Sequence, residues 1–456
     1  MTSSEAREAL AARMREVEAA ILARTPEHDL VPSLDRIRAV VELLGDPQRA
    51  YPVVHVTGTN GKTSTARMVE ALFAGFGMRT GRFTSPHLHS VRERISFDGK
   101  PIDEERFVST YEDIAPYLDL VDARSKESGG PTLSFFEVLV AMAYAAFADA
   151  PVDVAVVEVG MGGEWDATNV ADGQVSVVTP VAVDHERFLG STAPEIAAEK
   201  SGIIKPGAVA VLAQQEVEVA EVLLRRATEA GATVAREGLE FGVLSRTQAV
   251  GGQLISLRGL GGDYEDVFLP LFGAHQAQNA VVALAAVEAF FGGGADTVDI
   301  DVVRSAFAGV RSPGRLEVVR RSPTILVDAA HNPAGALATA AAIPDAFSFT
   351  HLVGVVAAMA DKDVRGILEA FEPVLAEVVV TEARTPRAMP VDELARLAVE
   401  VFGADRVEVA PRLDSALDTA VALAEDQGEL GGAGVLVTGS IVTVAQARAL
   451  LRADGR

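Results

Sequence analysis

The first fifty residues carry apolar side chains at helical spacing, which predicts two amphipathic helices. One face of a helix over residues 5–24 carries Leu10, Met14, Val17 and Ile21. After a turn around Pro26, a second helix is predicted to run through Ile37 to Leu44. The chain therefore begins with a helical segment in front of its first strand.

From Tyr51 onward, short β-rich runs alternate with helical segments. The first run, VVHVT, is followed by the glycine turn GTNGK and by a helix that ends in glycine. Three further runs are apolar enough to be strands buried on both faces, namely residues 152–160, 175–185 and 209–213. This alternation predicts an α/β domain with a doubly wound, mostly parallel sheet.

A second series of strands follows a break at Pro313 and Gly314, in the segment RSPGRLEVVRR. Its predicted strands are TILVDAA, HLVGVV, EVVVTE and GVLVTGS, which alternate with helical segments. We therefore predict a second, smaller α/β domain, with residues 1–310 forming the first domain and residues 311–456 the second.

Composition and charge narrow the classes of partner. The 456 residues include 40 basic and 64 acidic side chains, which gives a formal net charge of −24. A surface of this sign repels phosphate backbones and anionic headgroups, so neither nucleic acid nor a membrane is expected as a partner. The absence of cysteine excludes disulfides, thiolate nucleophiles and cysteine-bound metals. Since no apolar run reaches the length of a membrane span or a secretory leader, a cytoplasmic protein is expected.

The segment VTGTNGKTS at 56–64 has the pattern of a phosphate-binding loop between a strand and a helix. Gly58 and Gly61 allow a tight turn whose N–H groups face a phosphate, and Lys62 would reach the β- and γ-phosphates. Thr63 has the position at which the hydroxyl of such a loop meets Mg²⁺, although the usual first glycine is missing. The alternative is a plain strand-to-helix turn with a solvated lysine.

Strand ends are predicted to bring polar side chains to one edge of the sheet. Glu158 ends the strand VDVAVVE, where a metal-holding acid belongs, and Asp184 and His185 close the next strand. Lys200 follows on a helix, where it could neutralise phosphate charge. The hydroxyl of Ser85, in TSPHLHSVRERIS, suits a metal, and that segment also suits an anionic substrate. The alternatives are an acid paired with an arginine, a surface lysine and structural histidines.

In the second domain, Asp328, His331 and Asn332 follow the strand TILV. Asp328 could orient His331, and the pair could manage a proton or bind an ammonium group. A turn held by purely local hydrogen bonds is the alternative. The segments MADKD at 359–363 and TGS at 438–440 follow two other strands of this domain.

A long series of motifs occurs in a fixed order: GTNGKTS, TSPHL, ERIS, SFFE, EVGMGGEWDATN, EKSGIIKPG, FGAHQAQNA, PGRLE, DAAHNP, MADKD and TGS. This series resembles the folylpolyglutamate synthase/dihydrofolate synthase family, whose members are Mur-ligase-like, ATP-dependent amide ligases. The resemblance covers residues 30–445 and implies a P-loop ATPase domain followed by a Rossmann-like domain, with ATP and Mg²⁺ as cofactors. Glu164 and Trp165 stand where the family usually has arginine and a leucine-like residue.

The resemblance also implies roles for individual residues. It places the triphosphate at Gly58, Thr59, Asn60, Gly61, Lys62, Thr63 and Ser64. It places Asn279 on the adenine side of the nucleotide and adds Arg315 and Asp328 to the nucleotide site. Mg²⁺, expected at two sites, would be held by Ser85, Glu158 and His185. The substrates would contact Phe135, Phe136, Asp166, His331 and Ser440. The implied catalytic residues are Lys62, Lys200, Asp328 and His331, and Lys200 matches a lysine that is carbamylated in this superfamily.

The implied reaction is the ATP-dependent addition of L-glutamate to dihydropteroate, to the γ-carboxylate of reduced folates, or to both. A carboxylate is a poor electrophile, so ATP would convert it into an acyl phosphate before an amine attacks. A Mur-type peptide ligase and a non-ligase P-loop ATPase are the alternatives. The partners would be small molecules, and the chain would act as a monomer.

Overall fold

The structure, a computed structural model, describes residues 3–26, 31–294, 297–427 and 432–453. It contains two compact units. The first unit covers Met1–Leu244, Ser256–Val267 and Gln278–Gly309, and the second covers Ser245–Ile255, Phe268–Ala277 and Val310–Arg456. The domain limits at residues 310 and 311 stay a prediction.

Helices occupy both units. In chain order they are α1 (Ser3–Leu22), α2 (Asp35–Leu43), α3 (Lys62–Gly75), α4 (Glu104–Glu127), α5 (Phe135–Asp149), α6 (Glu186–Leu189), α7 (Ala193–Lys200), α8 (Val217–Ala230), α9 (Ala274–Gly292), α10 (Ile300–Ala308), α11 (Pro333–Ala346), α12 (Val364–Phe371), α13 (Val391–Phe402), α14 (Leu413–Gln427) and α15 (Ile441–Ala453). Short 3₁₀ turns lie at Pro47–Arg49, Val91–Arg94, Ala167–Val170, Ser201–Ile203 and Ala404–Arg406. In the part of the chain that the structure describes, none of the helices combines the length and the apolar character that crossing a bilayer requires.

The strands form three sheets. In chain order they are β1 (Val53–Thr57), β2 (Thr80–Phe83), β3 (Ile95–Phe97), β4 (Lys100–Pro101), β5 (Val154–Glu158), β6 (Val175–Val178), β7 (Val209–Leu212), β8 (Thr233–Arg236), β9 (Gly242–Ala249), β10 (Gly252–Arg258), β11 (Asp263–Leu269), β12 (Glu317–Arg321), β13 (Thr324–Val327), β14 (His351–Val356), β15 (Glu377–Val380), β16 (Val407–Val409) and β17 (Ala433–Thr438). Strands β11, β10 and β9 form a three-stranded sheet in that order.

The first unit is built on an eight-stranded sheet in the order β4-β3-β2-β5-β1-β6-β7-β8. The strands from β2 to β8 in that order are parallel, while β3 and β4 are antiparallel and lie at one edge. Every residue of the central strands β1 and β5 is buried, as expected when helices cover both faces of a sheet. The predicted doubly wound, mostly parallel sheet is confirmed.

One strand is shorter than the sequence predicts. The apolar run extends over residues 175–185, but β6 ends at Val178. Pro180 has no N–H for the sheet ladder, and its carbonyl oxygen accepts a hydrogen bond from the N–H of Thr59 at 2.9 Å. Asp184 and His185 therefore do not close a strand, and His185 instead lies directly before α6.

The second unit is built on a six-stranded sheet in the order β12-β13-β17-β14-β15-β16. Its strands are parallel except β12, which pairs antiparallel with β13 at one edge. The strands β13, β14, β15 and β17 correspond to the four runs that the sequence predicts. The predicted smaller α/β domain is thus confirmed as a fold class.

The N-terminal helices pack into the core of the first unit. Met14, Val17 and Ile21 are buried, as the helical spacing predicts, and they share one apolar cluster with side chains of α4 and α5. Two ion pairs hold the same region, because Arg24 lies 2.9 Å from Asp122 and Arg36 lies 3.0 Å from Glu137. The helical segment therefore supports α5, which begins with Phe135.

Candidate active site

The glycine turn between β1 and α3 is too crowded for side chains at two positions. Gly58 has φ of 140°, and a Cβ atom there would lie 1.9 Å from Oγ1 of Thr179. Gly61 has φ of 89° and precedes the first turn of α3, where a Cβ would lie 2.5 Å from Oδ1 of Asn279. Both glycines are thus required by the turn itself, and the turn delivers the N-terminal N–H groups of α3 to the sheet edge.

The ammonium group of Lys62 folds over this turn. Its Nζ donates hydrogen bonds to the carbonyl oxygens of Gly58 and Thr59, both at 3.0 Å. The side chain is half-buried, as is that of Thr63 beside it, whereas Ser64 is buried. A lysine held in this way contributes a positive charge at the start of a helix, where backbone N–H groups already favour an anion.

The turn is also fastened to the segment that follows β6. The N–H of Thr59 donates to Pro180, and the N–H of Asn60 lies 3.4 Å from the same oxygen. The Thr59 hydroxyl donates to the carbonyl of Ala182 at 2.9 Å and accepts from its N–H at 3.0 Å. These bonds place the start of the segment that leads to His185 directly beside the glycine turn.

His185 has a left-handed backbone with φ of 55°, an uncommon conformation for a residue other than glycine. Its N–H donates to the carboxylate of Asp184 at 2.8 Å, and its Nε2 lies 3.9 Å from the same side chain. The imidazole is about one-third exposed, at 34%. Asp184 and His185 thus form a local pair at the start of α6.

Glu158, at the end of β5, brings two other predicted site residues together. Its side chain is only 1% exposed. Oε1 accepts from the hydroxyl of Thr63 at 2.8 Å, and Oε2 accepts from the N–H of Ser85 at 3.2 Å. A buried carboxylate beside the hydroxyl of Thr63 and the backbone of Ser85 provides oxygen atoms of the kind that Mg²⁺ prefers. Within the described ranges, no group of three or more His, Cys, Asp or Glu side chains is arranged to hold a metal, so such a site also depends on hydroxyl and phosphate oxygens.

Lys200 is the last residue of α7 and is 4% exposed, so it is not a surface lysine. Burial, with the positive charge of Lys62 as the second cause, lowers the pKa of Lys200 to about 7. The carboxylates of Asp184, Asp166 and Glu199 oppose this shift. Burial therefore favours the uncharged amine at Lys200 more than at a solvent-exposed lysine.

The predicted substrate residue Asp166 is 3% exposed and shapes the loop that follows β5. One carboxylate oxygen accepts from the N–H of Thr168 at 3.0 Å and from its hydroxyl at 2.5 Å. The other accepts from the N–H of Met161 at 2.9 Å. Burial raises the pKa of Asp166, while these hydrogen bonds and one from Gly160 oppose that shift.

The two residues that differ from the family pattern lie on the same loop. The carboxylate of Glu164 is 60% exposed and lies 3.9 Å from the guanidinium of Arg226 on α8. The N–H of Trp165 donates to Glu199 at 3.2 Å, and the indole packs in an apolar cluster with side chains of α7 and α8. The negative charge of Glu164, at a position where the family usually has arginine, thus lies next to an arginine of α8.

Phe135 and Phe136 begin α5 and are both 7% exposed. The guanidinium of Arg94 lies 4.9 Å from the centre of the Phe135 ring. Phe136 packs edge-to-face against Phe83 at 5.7 Å, and its ring lies so close to Gly160 that a Cβ there would be 2.4 Å away. Phe136 thus contacts the backbone of the loop that Asp166 shapes.

In the second unit, the carboxylate of Asp328 accepts hydrogen bonds from residues close to it in the chain. It accepts hydrogen bonds from the N–H of Leu316 at 2.8 Å, the N–H of Ala330 at 2.9 Å and the hydroxyl of Thr339 at 2.8 Å. Nδ1 of His331 lies 3.0 Å from the carbonyl oxygen of Ala329. The alternative prediction, a turn held by local hydrogen bonds, is therefore the arrangement observed at Asp328 and His331.

The remaining predicted residues of the second unit lie near loop and helix ends. Arg315 directly follows the break at Pro313 and Gly314, and its N–H donates to the carbonyl of Ser312 at 3.2 Å. Ser440 is 1% exposed, and its hydroxyl accepts from the N–H of Val442 at the start of α15. Asn332 caps α11 by accepting from the N–H of Gly335 at 2.8 Å.

Three polar residues that the sequence did not predict as site residues, His55, Thr57 and Thr168, fasten the loop after β5. The hydroxyl of Thr57 donates to the carbonyl of Gly162 at 2.8 Å, and Nε2 of His55 lies 2.9 Å from the hydroxyl of Thr168. His55 and Thr57 are on the same face of β1, since side chains alternate along a strand. A histidine inside the apolar run VVHVT is the signal by which His55 could have been found.

Two family models match the chain. The Mur ligase middle domain matches residues 133–287, and the glutamate ligase domain of Mur ligases matches residues 314–441. Together with two α/β units and a strand–glycine turn–helix site, these matches define the class of Mur-type ligases.

Individual relatives narrow this class. A dihydrofolate synthase/folylpolyglutamate synthase of Mycobacterium tuberculosis is 53% identical over 461 residues, which cover 97% of this chain and 95% of the relative. The structure of Mycobacterium tuberculosis folylpolyglutamate synthase complexed with ADP superposes with a TM-score of 0.93 at 53% identity, over 97% of this chain and 99% of that one. Escherichia coli FolC in complex with DHPP and ADP has a TM-score of 0.82 at 28% identity, over 98% of both chains. The chain belongs to the dihydrofolate synthase/folylpolyglutamate synthase family.

Proposed function

We propose that this protein uses ATP to add L-glutamate to dihydropteroate, to the γ-carboxylate of reduced folates, or to both. The observation that carries the proposal is the position of Glu158, whose buried carboxylate accepts hydrogen bonds from Thr63 of the glycine turn and from Ser85. Membership of the family and the ligands named for its solved members support the same reaction.

The nucleotide would bind at the turn before α3. Its phosphates would face the N-terminal N–H groups of this helix, and Lys62 would exchange its bonds to Gly58 and Thr59 for phosphate oxygens. Asn279 lies against Gly61 and would mark the adenine side. Lys62 would then stabilise the negative charge that moves with the transferred phosphoryl group.

The residues at the end of β5 fit a magnesium ion. Glu158, Ser85 and His185 would hold it, with Thr63 as a further hydroxyl, and these side chains offer mainly the oxygen atoms that this ion prefers. When bound, Mg²⁺ would neutralise phosphate charge and orient the phosphate oxygens. A second magnesium site would need another anionic ligand, which a carbamylated Lys200 would provide. The uncharged amine that burial favours at Lys200 is the form that reacts with carbon dioxide.

The pteroate or folate would lie along the loop that Asp166 shapes, next to Phe135 and Phe136. Its carboxylate would attack the γ-phosphate of ATP, which forms an acyl phosphate and releases ADP. Glutamate would be bound in the second unit by His331 and Ser440. The amino group of glutamate would then attack the acyl carbon, so that the amide forms and phosphate leaves.

The reaction is tested by incubating the purified protein with ATP, Mg²⁺, labelled glutamate and either dihydropteroate or a reduced folate. We expect products heavier by one or more glutamate residues, together with ADP and phosphate. ATP hydrolysis that is indifferent to glutamate and to both pterin substrates would favour the non-ligase ATPase. Glutamate-independent extension of a cell-wall peptide precursor would favour the Mur-type peptide ligase. We further propose a cytoplasmic, monomeric enzyme. Sedimentation of the purified protein would test the monomeric state, and fractionation of cells would test the location.

A further inference from the structure

A histidine lies at a fully buried position in a central strand of the sheet in the first unit. His55 is the middle residue of β1, between Val157 of β5 and Ser176 of β6, and it is fully buried. A polar ring at such a position costs free energy unless its nitrogen atoms are hydrogen-bonded. Nδ1 has no hydrogen-bond partner among the residues that the structure describes, so the whole compensation comes from Nε2.

The bond of Nε2 has a defined direction. The hydroxyl of Thr168 has a single proton, which it donates to the carboxylate of Asp166 at 2.5 Å. Towards His55, at 2.9 Å, the same hydroxyl oxygen must therefore be the acceptor and Nε2 the donor. Burial, with the charge of Lys205 as a second cause, lowers the pKa of His55 to about 3, so the ring is neutral and carries its proton on Nε2.

The bonded hydroxyl closes the loop that follows β5. Asp166 accepts from the backbone and the hydroxyl of Thr168 and from the N–H of Met161, which draws the two ends of the loop together. Tyr144 donates to the carbonyl of Thr168 at 2.6 Å and restrains the same residue from the side of α5. The hydroxyl of Thr168 thus accepts from His55 and donates to Asp166, so both bonds restrain its position.

We propose that His55 is a positioning residue for the pterin substrate, because it fixes the hydroxyl of Thr168 and thereby the loop of residues 160–170. This inference rests on the proposed function, which places the substrate along that loop. The same face of β1 also holds the loop through Thr57 and Gly162, and β1 leads directly into the glycine turn. His55 thus connects β1, which leads into the proposed nucleotide site, with the loop along which the substrate is proposed to lie.

A matched pair of variants separates this role from simple core packing. In His55→Gln, the amide nitrogen is as many bonds from Cβ as Nε2 of histidine, so it can donate to Thr168. In His55→Asn, the amide nitrogen is one bond shorter and corresponds to Nδ1, so the donor is lost. Both replacements are neutral and polar. Thr168→Val, with Thr168→Ser as its control, removes the hydroxyl itself if His55→Asn does not fold.

Two readouts are compared. For His55→Asn we expect the KM for dihydropteroate or folate to rise about tenfold, the effect of losing one buried hydrogen bond. We expect the KM for ATP to change by no more than about twofold, since the glycine turn keeps its own bonds. Amide hydrogen exchange in residues 160–170 of the ligand-free protein should become faster by about tenfold. His55→Gln should restore both quantities.

Several outcomes overturn the proposal. The proposal fails if His55→Asn and Thr168→Val both keep the wild-type KM values and the wild-type rate of amide hydrogen exchange in residues 160–170. It also fails if His55→Asn and His55→Gln lower the melting temperature equally and leave the ratio of the KM for the pterin substrate to the KM for ATP unchanged. That result would mean that His55 contributes only to core packing. If the wild type forms no glutamate product at all, the proposed function fails. The exchange comparison still decides whether His55 positions the loop.

Discussion

Glu158 in the first unit and Asp328 in the second are both buried carboxylates that follow or end a parallel strand, yet their surroundings differ. The hydrogen bonds of Glu158 come from Thr63 and Ser85, which lie 95 and 73 residues away in the chain and are themselves predicted site residues. Those of Asp328 come from Leu316, Ala330 and Thr339, all within twelve residues. Glu158 therefore brings distant site residues together, whereas Asp328 stabilises a local turn.

The difference shows that a motif does not by itself assign a role. Both acids are conspicuous in the sequence, because each follows an apolar strand and lies in a glycine- or proline-containing segment. Removing the charge of Glu158, where two predicted site residues meet, should affect chemistry, while removing an acceptor from the three local donors of Asp328 should mainly affect stability.

The largest effect is expected for Lys62→Ala. This change removes the ammonium group at the glycine turn while the bonds of Thr59 to the segment after β6 remain. We expect product formation to fall by about 10³-fold, measured as kcat for ADP release, because Lys62 would stabilise the transferred phosphoryl group. Circular dichroism should be unchanged. Lys100→Ala, at an exposed position of β4, serves as the control and should retain wild-type kcat.

Glu158→Gln should reduce kcat by about 10²-fold and raise the Mg²⁺ concentration needed for half-maximal rate. Glutamine keeps an acceptor for Thr63 but leaves the N–H of Ser85 without one, so the free energy of unfolding should fall by about 1 kcal/mol, while the loss of charge appears in kcat and in the magnesium requirement. A variant with a much lower melting temperature and a normal magnesium requirement would place Glu158 with Asp328 among the turn-building acids. Excess chelator should abolish turnover in the wild type, and added Mg²⁺ should restore it.

Asp328→Asn should act mainly on stability. The amide group can accept with only one of its two ends, so at least one of the donors Leu316 and Ala330 loses its acceptor. We expect the free energy of unfolding to fall by about 2 kcal/mol, measured by urea denaturation with circular dichroism. Asp405→Asn, at an exposed position, is the control. If Asp328→Asn unfolds like the wild type yet loses all activity, the contrast with Glu158 disappears.

The smallest effect concerns pH. In the folded chain the pKa of His55 is about 3, whereas the ordinary value is 6.5. Below pH 6.5 the unfolded chain binds a proton that the folded chain does not, so stability falls as the pH decreases. His55 alone contributes a slope of about 1.4 kcal/mol per pH unit in this window. His55→Gln should flatten the curve of unfolding free energy between pH 6.5 and pH 5, compared with the wild type, and identical curves would contradict a buried neutral histidine.

Regular periodicity made most of the fold predictable. The helices at the N-terminus, the strands β1, β5 and β7 and the four main strands of the second unit follow from apolar runs and turn residues. The predicted end of β6 was wrong because five apolar or weakly polar residues, 179–183, continue past Val178, although Pro180 has no N–H for the ladder. The strands β12 and β16 are half-buried or exposed, so their residues give no strong apolar signal.

The candidate site was predictable where its residues are local. The turn from Gly58 to Lys62 has its chemistry within a few residues, and Glu158 directly follows an apolar strand. The bond between His55 and Thr168 spans 113 residues, and no periodic pattern reports such a pairing. The partners of Asp328 were predicted only as an alternative, because backbone N–H groups have no signature in a sequence.

The short strand β4 has a consequence for the chain in concentrated solution. It consists of Lys100 and Pro101, both exposed, and it forms the last rung of the eight-stranded sheet on that side. An exposed border of a sheet can recruit a strand from a neighbouring molecule, but a charged lysine and a proline without N–H offer such a strand almost nothing to hold. This edge strand thus disfavours pairing with a strand of a neighbouring molecule, even where no other chain covers it.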